Sequence, residues 1–280
     1  MHEKAIRIGI CAPATPFAPD LAERVSALSA ERFGAAAPEL IFHPQCYQSD
    51  NHFAGPDEAR RDALVELAND PTIDAVWFAR GGYGSNRIAA DAIARFSTAA
   101  LTKTFMGYSD CGFMLAGLYK AGFKAVHGPM PADILRENGA DAVARALDFL
   151  VRGDRNTLEA GLDTRPVAAF NLTILTSLVG TKLEPDLAGH VLLIEDVSEY
   201  MYRIDRMLFQ LAAHPAFAKL AGIRLGRVSD VPENTPDFGH DAVALLQYWC
   251  ARAAIPYLGA ADIGHDSANK VVPFGIYHPK

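Results

Sequence analysis

Over the first 125 residues, short apolar runs alternate with longer stretches in which apolar residues recur every three or four positions. AIRIGICA (5–12), ELIFHP (39–44), IDAVWFAR (73–80) and TKTFMGY (102–108) read as strands that are nearly continuous in apolar residues. Between them, LAERVSALSAERFG (21–34), PDEARRDALVELAND (56–70), SNRIAADAIARF (85–96) and DCGFMLAGLYKAG (110–122) carry the period of amphipathic helices. Strands that are apolar on both faces and alternate with helices predict a parallel sheet covered on both sides, a doubly wound α/β layer. In such a layer the working residues gather just past the carboxyl ends of the strands.

The rhythm fades after AVHGPMP (125–131). A helix at about 140–151 runs into VRGDRNTLEAGLDTRP (151–166), rich in Gly, Asp and Arg, which places a domain boundary between 1–152 and 153–280. The second half predicts a helix at 171–179, a buried strand HVLLIED (190–196), a helix at 199–214, a strand GIRLGRVSD (222–230), a helix at 239–253 and two short strands near IPYLGAA and KVVPFGI. This pattern describes a smaller C-terminal mixed α/β domain.

The polar residues that interrupt this pattern at strand ends are the candidate chemistry. In TKTFMGYSDCG, Ser109 falls on a strand-to-helix turn, where the first N–H groups of a helix lack partners. A hydroxyl exposed there resembles a nucleophile elbow; equally, Ser109 reads as a helix N-cap with Asp110 in the favourable first turn. Cys111 reads as a packed thiol. In WFARGGYGSNRI (77–88), Gly81, Gly82 and Gly84 let backbone N–H groups approach an oxyanion or a small anionic ligand, although neither nucleotide-binding glycine motif is matched. Arg80 is placed to meet a substrate carboxylate or a neighbouring acid. Glu195 and Asp196 emerge together from a buried strand, and since adjacent strand residues face opposite ways, only one of them can serve a given site. His265 lies in a polar, Gly-flanked loop, and His127 ends a strand. Together, a Ser, a carboxylate and a His supply nucleophile, orienting acid and base.

Composition narrows the options. The chain has 280 residues, half of them hydrophobic, a formal charge of −7 and no run of Lys or Arg, which argues against nucleic-acid or anionic-membrane surfaces. No stretch nears the ~20 apolar residues of a membrane span, and the start of the chain carries no leader pattern, so a cytoplasmic protein is expected. Cys11, Cys46, Cys111 and Cys250 form no CxxC and suit reduced core thiols. His43, Cys46 and His52 lack a zinc-site spacing, so no metal or organic cofactor is expected.

In order, ARGGYGSNR (79–87), GYSD (107–110), HGPM (127–130), LLIEDVSEYMYRIDRML (192–208) and IGHDSANKVVPFG (263–275) resemble the LD-carboxypeptidases, serine peptidases of murein recycling whose relatives include the microcin C self-immunity peptidase. The resemblance runs from APAT (12–15) nearly to the C-terminus. It implies Ser109 as nucleophile, Glu195 rather than Asp196 as the acid that orients the base, and His265 as base. The N–H groups of Asp110 and of Gly81 or Gly82 would then form the oxyanion hole. It further implies a murein peptide substrate, a homodimer, and a cleft between a domain carrying the nucleophile and one carrying the acid and base. Candidates for substrate binding are Asn171 and, for a terminal carboxylate, Arg80, Arg203 and Arg206, while Glu199 and Arg203 are spaced to pair on a helix surface. The chain departs from the family at AAFNL (168–172), where Phe170 replaces a Gly and is expected to narrow the cleft, and it ends with PFGIYHPK (273–280), where many relatives add another strand. Hydrolysis of aminoacyl or peptidyl adenylates is the alternative activity, calling for an aromatic platform from Trp77 or Trp249; a non-catalytic small-anion binder is the alternative of another class.

Overall fold

The computed structural model describes residues 5–162 and 164–277. Five parallel strands, β1 (Arg7–Cys11), β2 (Glu39–Phe42), β3 (Ala75–Phe78), β4 (Thr104–Gly107) and β5 (Lys124–His127), form the first sheet. Helices α1 (Pro19–Phe33), α2 (Asp57–Asn69), α3 (Ser85–Ile93), α4 (Gly112–Lys120) and α5 (Gly139–Arg152) cover it. All four residues of β3 are buried, and the two faces feed separate cores. Val76 and Phe78 pack with Leu64, Ile88 and Leu118, whereas Trp77 packs with Ile8, Val25 and Leu147. That two-sided burial is why these strands lack alternation.

The second sheet is wholly parallel, with strands β6 (Val167–Asn171), β7 (Val191–Val197), β8 (Gly222–Ser229) and β9 (Tyr257–Ala260) lying side by side in that order. Its helices are α6 (Leu172–Leu178), α7 (Met201–Ala213) and α8 (Ala242–Ala253). Phe170, Leu192, Ile194, Leu208 and Leu246 share one core with Phe113 and Ala116 of α4, so apolar packing joins the two halves.

Two features differ from the sequence reading. A strand, β6, precedes α6: VAAFN is short, Ala-rich and buried at every residue, so it shows no period by which to recognise it. The final strand, β10 (Val272–Pro273), pairs antiparallel with His127 and Val126 at the edge of the first sheet rather than joining the second. Edge pairing suits Pro273, which has no N–H to give to a further strand.

Candidate active site

Ser109 follows β4 with φ of +58°, in the left-handed region that a non-glycine residue rarely occupies. The turn is closed by Cys111 N–H donating to the Tyr108 carbonyl at 3.1 Å. Asp110 is buried, and its carboxylate accepts from Ser85 N–H at 2.9 Å and Gly84 N–H at 3.4 Å; Ser85 Oγ donates to the Asp110 carbonyl at 2.6 Å. Asp110 thereby straps the serine turn to the Gly-rich turn that follows β3. That turn is held from below as well. Thr15 Oγ1 donates to the Gly81 carbonyl at 2.6 Å, and the fully buried Arg60 guanidinium donates to the carbonyls of Gly84 at 2.9 Å and of Pro13. Gly81 must lie close to the serine: a Cβ there would stand 3.1 Å from Ser109 Oγ. Among the described residues, none accepts a hydrogen bond from the N–H of Gly81, Gly82 or Asp110.

His265 connects the two halves. Its Nε2 is 3.0 Å from Ser109 Oγ and its Nδ1 is 2.6 Å from Glu195 Oε2. Glu195 sits near the carboxyl end of β7, fully enclosed. Asp196 points the other way, accepting from Asn171 Nδ2 at 3.0 Å, Thr173 N–H at 2.9 Å and Thr173 Oγ1 at 3.0 Å, so the two carboxylates meet different partners. Close strand packing opens the path for Glu195, since a Cβ on Gly226 of β8 would stand 3.0 Å from the Glu195 Cβ and 2.6 Å from the Ile263 carbonyl.

The loop bearing His265 is anchored by cations from both sheets. Arg145 of α5 donates to the carbonyls of Ser267 at 2.8 Å and Asn269 at 2.9 Å, while Arg227 of β8 pairs with Asp262 at 2.6 Å and with Asp266. Asn269 Oδ1 accepts from Gly264 N–H at 3.2 Å and lies 3.0 Å from His127 Nε2, which must therefore be the protonated nitrogen of that ring. Burial pushes His127 down to about 4, so it stays neutral and serves the loop rather than the chemistry. Burial also drives the His265 imidazole toward neutrality, but the Glu195 carboxylate on its Nδ1 outweighs it and raises the net pKa above the usual histidine value. Burial raises the carboxyl of Glu195, and the facing imidazole partly offsets that.

The serine opens into a cleft of about 300 Å³ lined by Ser109, His265, Met130 and two guanidiniums, Arg80 and Arg136. Of the residues nominated for substrate binding, only Arg80 reaches it; its Nη1 lies 3.4 Å from the Pro16 carbonyl. Asn171 is instead the N-cap of α6, accepting from Ile174 N–H at 3.1 Å while it holds Asp196. Arg203 pairs with Glu199 at 2.8 Å on the surface of α7, as their spacing indicates, and Arg206 lies over the Tyr202 ring. Phe170 does not narrow the cleft. It is a core residue, 5.1 Å edge-on from Phe274. Trp77 is buried with its Nε1 donating to the Pro129 carbonyl at 2.8 Å, and Trp249 packs on Phe209 and Tyr248, so neither offers the cleft an aromatic platform. The cysteines are buried free thiols, with Cys46 Sγ donating to the Ile10 carbonyl at 3.3 Å and His43 3.1 Å from Glu66. Among the described residues, no three His, Cys, Asp or Glu side chains gather as a metal site, and no helix is long and apolar enough to cross a membrane.

Sequence reasoning missed Arg136 and its partner Asp133. The signal was their place just past the carboxyl end of β5, beyond the HGPM stretch where the motif reading stopped.

Residues 8–128 match the model of the LD-carboxypeptidase N-terminal domain, and residues 166–278 match that of its C-terminal domain. The chain belongs to the LD-carboxypeptidase family. It is 28% identical to a murein tetrapeptide carboxypeptidase of Pseudomonas aeruginosa over 96% of this chain and 91% of that one. Its structure resembles that of a muramoyltetrapeptide carboxypeptidase from Oxalobacter formigenes, with a TM-score of 0.80 and 27% identity over 95% of this chain and 93% of that one. The microcin C7 self-immunity protein MccF shares the fold, with a TM-score of 0.77 at 20% identity over 97% of this chain and 91% of its own. LD-carboxypeptidase architecture thus accounts for both sheets and the cleft beside Ser109.

Proposed function

We propose that this protein is a serine LD-carboxypeptidase that removes the terminal D-Ala of murein tetrapeptide, cutting the bond between the L-centre of meso-diaminopimelate and D-Ala during cytoplasmic cell-wall recycling. The observation that carries the reading is the chain of contacts from Glu195 through His265 to a Ser109 held at positive φ. His265 Nε2 takes the Ser109 proton as Oγ attacks the scissile carbonyl carbon. The developing oxyanion is received by the N–H of Asp110 and of Gly81 or Gly82, where loss of one donor typically costs ~10²–10³ in rate. Glu195 keeps the imidazole in the tautomer with its proton on Nδ1 and stabilises the imidazolium. The imidazolium then protonates the leaving amine, D-Ala departs, and water activated by the same imidazole hydrolyses the acyl-enzyme. The nucleophile belongs to a domain ending near residue 152 and the acid and base to the one that follows, and the working form is a homodimer.

The test is D-Ala release from purified murein tetrapeptide, in EDTA, by the wild type and by Ser109→Ala. Release by the first alone is the expected result. Equal release by both would remove Ser109 from the mechanism, and release by neither would move the substrate elsewhere.

A further inference from the structure

An exopeptidase has to measure one residue from the scissile carbonyl to a terminal carboxylate, so it needs a cation at a fixed offset from its nucleophile. The cleft holds two guanidiniums, and they are built differently. Arg80 is exposed, and among the described residues its guanidinium makes one hydrogen bond, a 3.4 Å approach to the Pro16 carbonyl. Arg136 is held on its inner edge: Nε donates to Asp133 Oδ1 at 2.8 Å and Nη2 lies 3.3 Å from the Tyr108 hydroxyl. Asp133 is itself fixed, accepting from Tyr108 Oη at 2.7 Å and from Met130 N–H at 2.8 Å. Asp133 is buried, its side chain 6% exposed, while that of Arg136 remains 37% exposed. Among the described residues no group accepts from Arg136 Nη1, so the outer edge of the fork keeps the parallel donors that a carboxylate takes up two at a time.

The frame that holds Arg136 is also the frame of the reaction centre. Tyr108 immediately precedes Ser109, and its ring packs 4.9 Å from that of His265. The guanidinium, the nucleophile and the base thus hang from one buried tyrosine, which gives the fixed offset that an exopeptidase requires.

We propose that Arg136, positioned by Asp133 and Tyr108, binds the terminal carboxylate of the substrate and makes the protein an exopeptidase. This rests on the carboxypeptidase reading above and names the residue that enforces it. A substrate lacking the terminal charge leaves the fork unpaired and loses the interaction in both ground and transition states.

The experiment compares murein tetrapeptide with its C-terminal amide as substrates for the wild type, Arg136→Met, Arg136→Lys and Arg80→Met, with circular dichroism confirming the fold. Wild type is expected to prefer the acid, and Arg136→Met to cut the acid-over-amide ratio of kcat/KM roughly 12- to 160-fold, the range for a charge-assisted hydrogen bond, chiefly through KM for the acid. Arg136→Lys, which keeps the charge but not the fork, should fall between. Arg80→Met should leave the ratio within about threefold of wild type by the same reasoning. If Arg80→Met collapses the ratio and Arg136→Met does not, the proposal is overturned while the carboxypeptidase reading stands. If Arg136→Met weakens acid and amide alike, Arg136 is a structural latch and the proposal again fails. A wild type that cleaves acid and amide equally, or neither, defeats the carboxypeptidase reading and the proposal with it.

Discussion

Glu195 and His265, 70 residues apart in the chain, meet at 2.6 Å through Oε2 and Nδ1 in a site from which water is largely excluded. A carboxylate at that distance fixes which imidazole nitrogen carries the proton. Replacing it with the isosteric amide in Glu195→Gln should keep the fold and lower kcat by ~10⁴, the order seen when an orienting acid is neutralised. Steady-state kinetics beside a thermal melt checks this. A loss below tenfold would remove Glu195 from the mechanism. The thermal melt shows whether the variant keeps its fold.

The same contact sets the pH profile. Only neutral His265 can accept the Ser109 proton, and the Glu195 carboxylate holds its pKa above the usual 6.5. Activity should therefore rise with pH, with a midpoint in kcat/KM above that value, and fall away on the acid side as the imidazole becomes charged. In Glu195→Gln, burial acts without its counterweight, so the residual activity should show a lower midpoint. A midpoint that stays put would disconnect the profile from this pair.

Gly81 and Gly82 separate activity from stability. A methyl at Gly81 would stand 3.0 Å from Ser109 Cβ and 3.1 Å from its Oγ, where the proposed mechanism brings the substrate carbonyl. Gly81→Ala should lower kcat by about 10², like the loss of an oxyanion donor, with little change in denaturant midpoint. Gly82 has φ of +109° and its added Cβ would meet Thr15 Cγ2 at 2.5 Å. Gly82→Ala should therefore destabilise the fold by at least about 1–3 kcal/mol, from backbone strain with the clash against Thr15 added to it. Urea melts and kinetics on both variants test the contrast.

Phe170 is 1% exposed and packs among Phe113, Leu192 and Phe274. Phe170→Ala should cost about 3–5 kcal/mol as a core cavity and leave KM for the tetrapeptide unchanged. A large change in KM with stability intact would return this residue to the cleft.

Ser109, Glu195 and His265, which meet in the structure, stood out because each interrupts an apolar run at a strand end or in the loop after one, and the doubly wound sheet was legible because burial on both faces leaves strands without alternation. Spacing alone left Glu195 and Asp196 undivided. Their separation depends on what each meets, His265 for one and the Asn171–Thr173 cap for the other. Arg203 was misleading because one helix turn back it already has Glu199, and Asn171 because an amide at a strand end serves equally well as a cap. Arg136 was hidden for a different reason. Its importance lies in Tyr108, 28 residues earlier, and no local pattern announces a contact of that kind.

The placement of β10 bears on how the protein is made. A growing chain that has completed β1 to β5 still exposes the edge of β5 that Val272 and Pro273 later cover, and it carries Ser109 with neither Glu195 nor His265. His265 is synthesised only seven residues before Val272. Pairing of the last strand with β5 therefore goes with the arrival of His265 beside Ser109, and the contacts among Ser109, His265 and Glu195 are complete only when the sheet is finished.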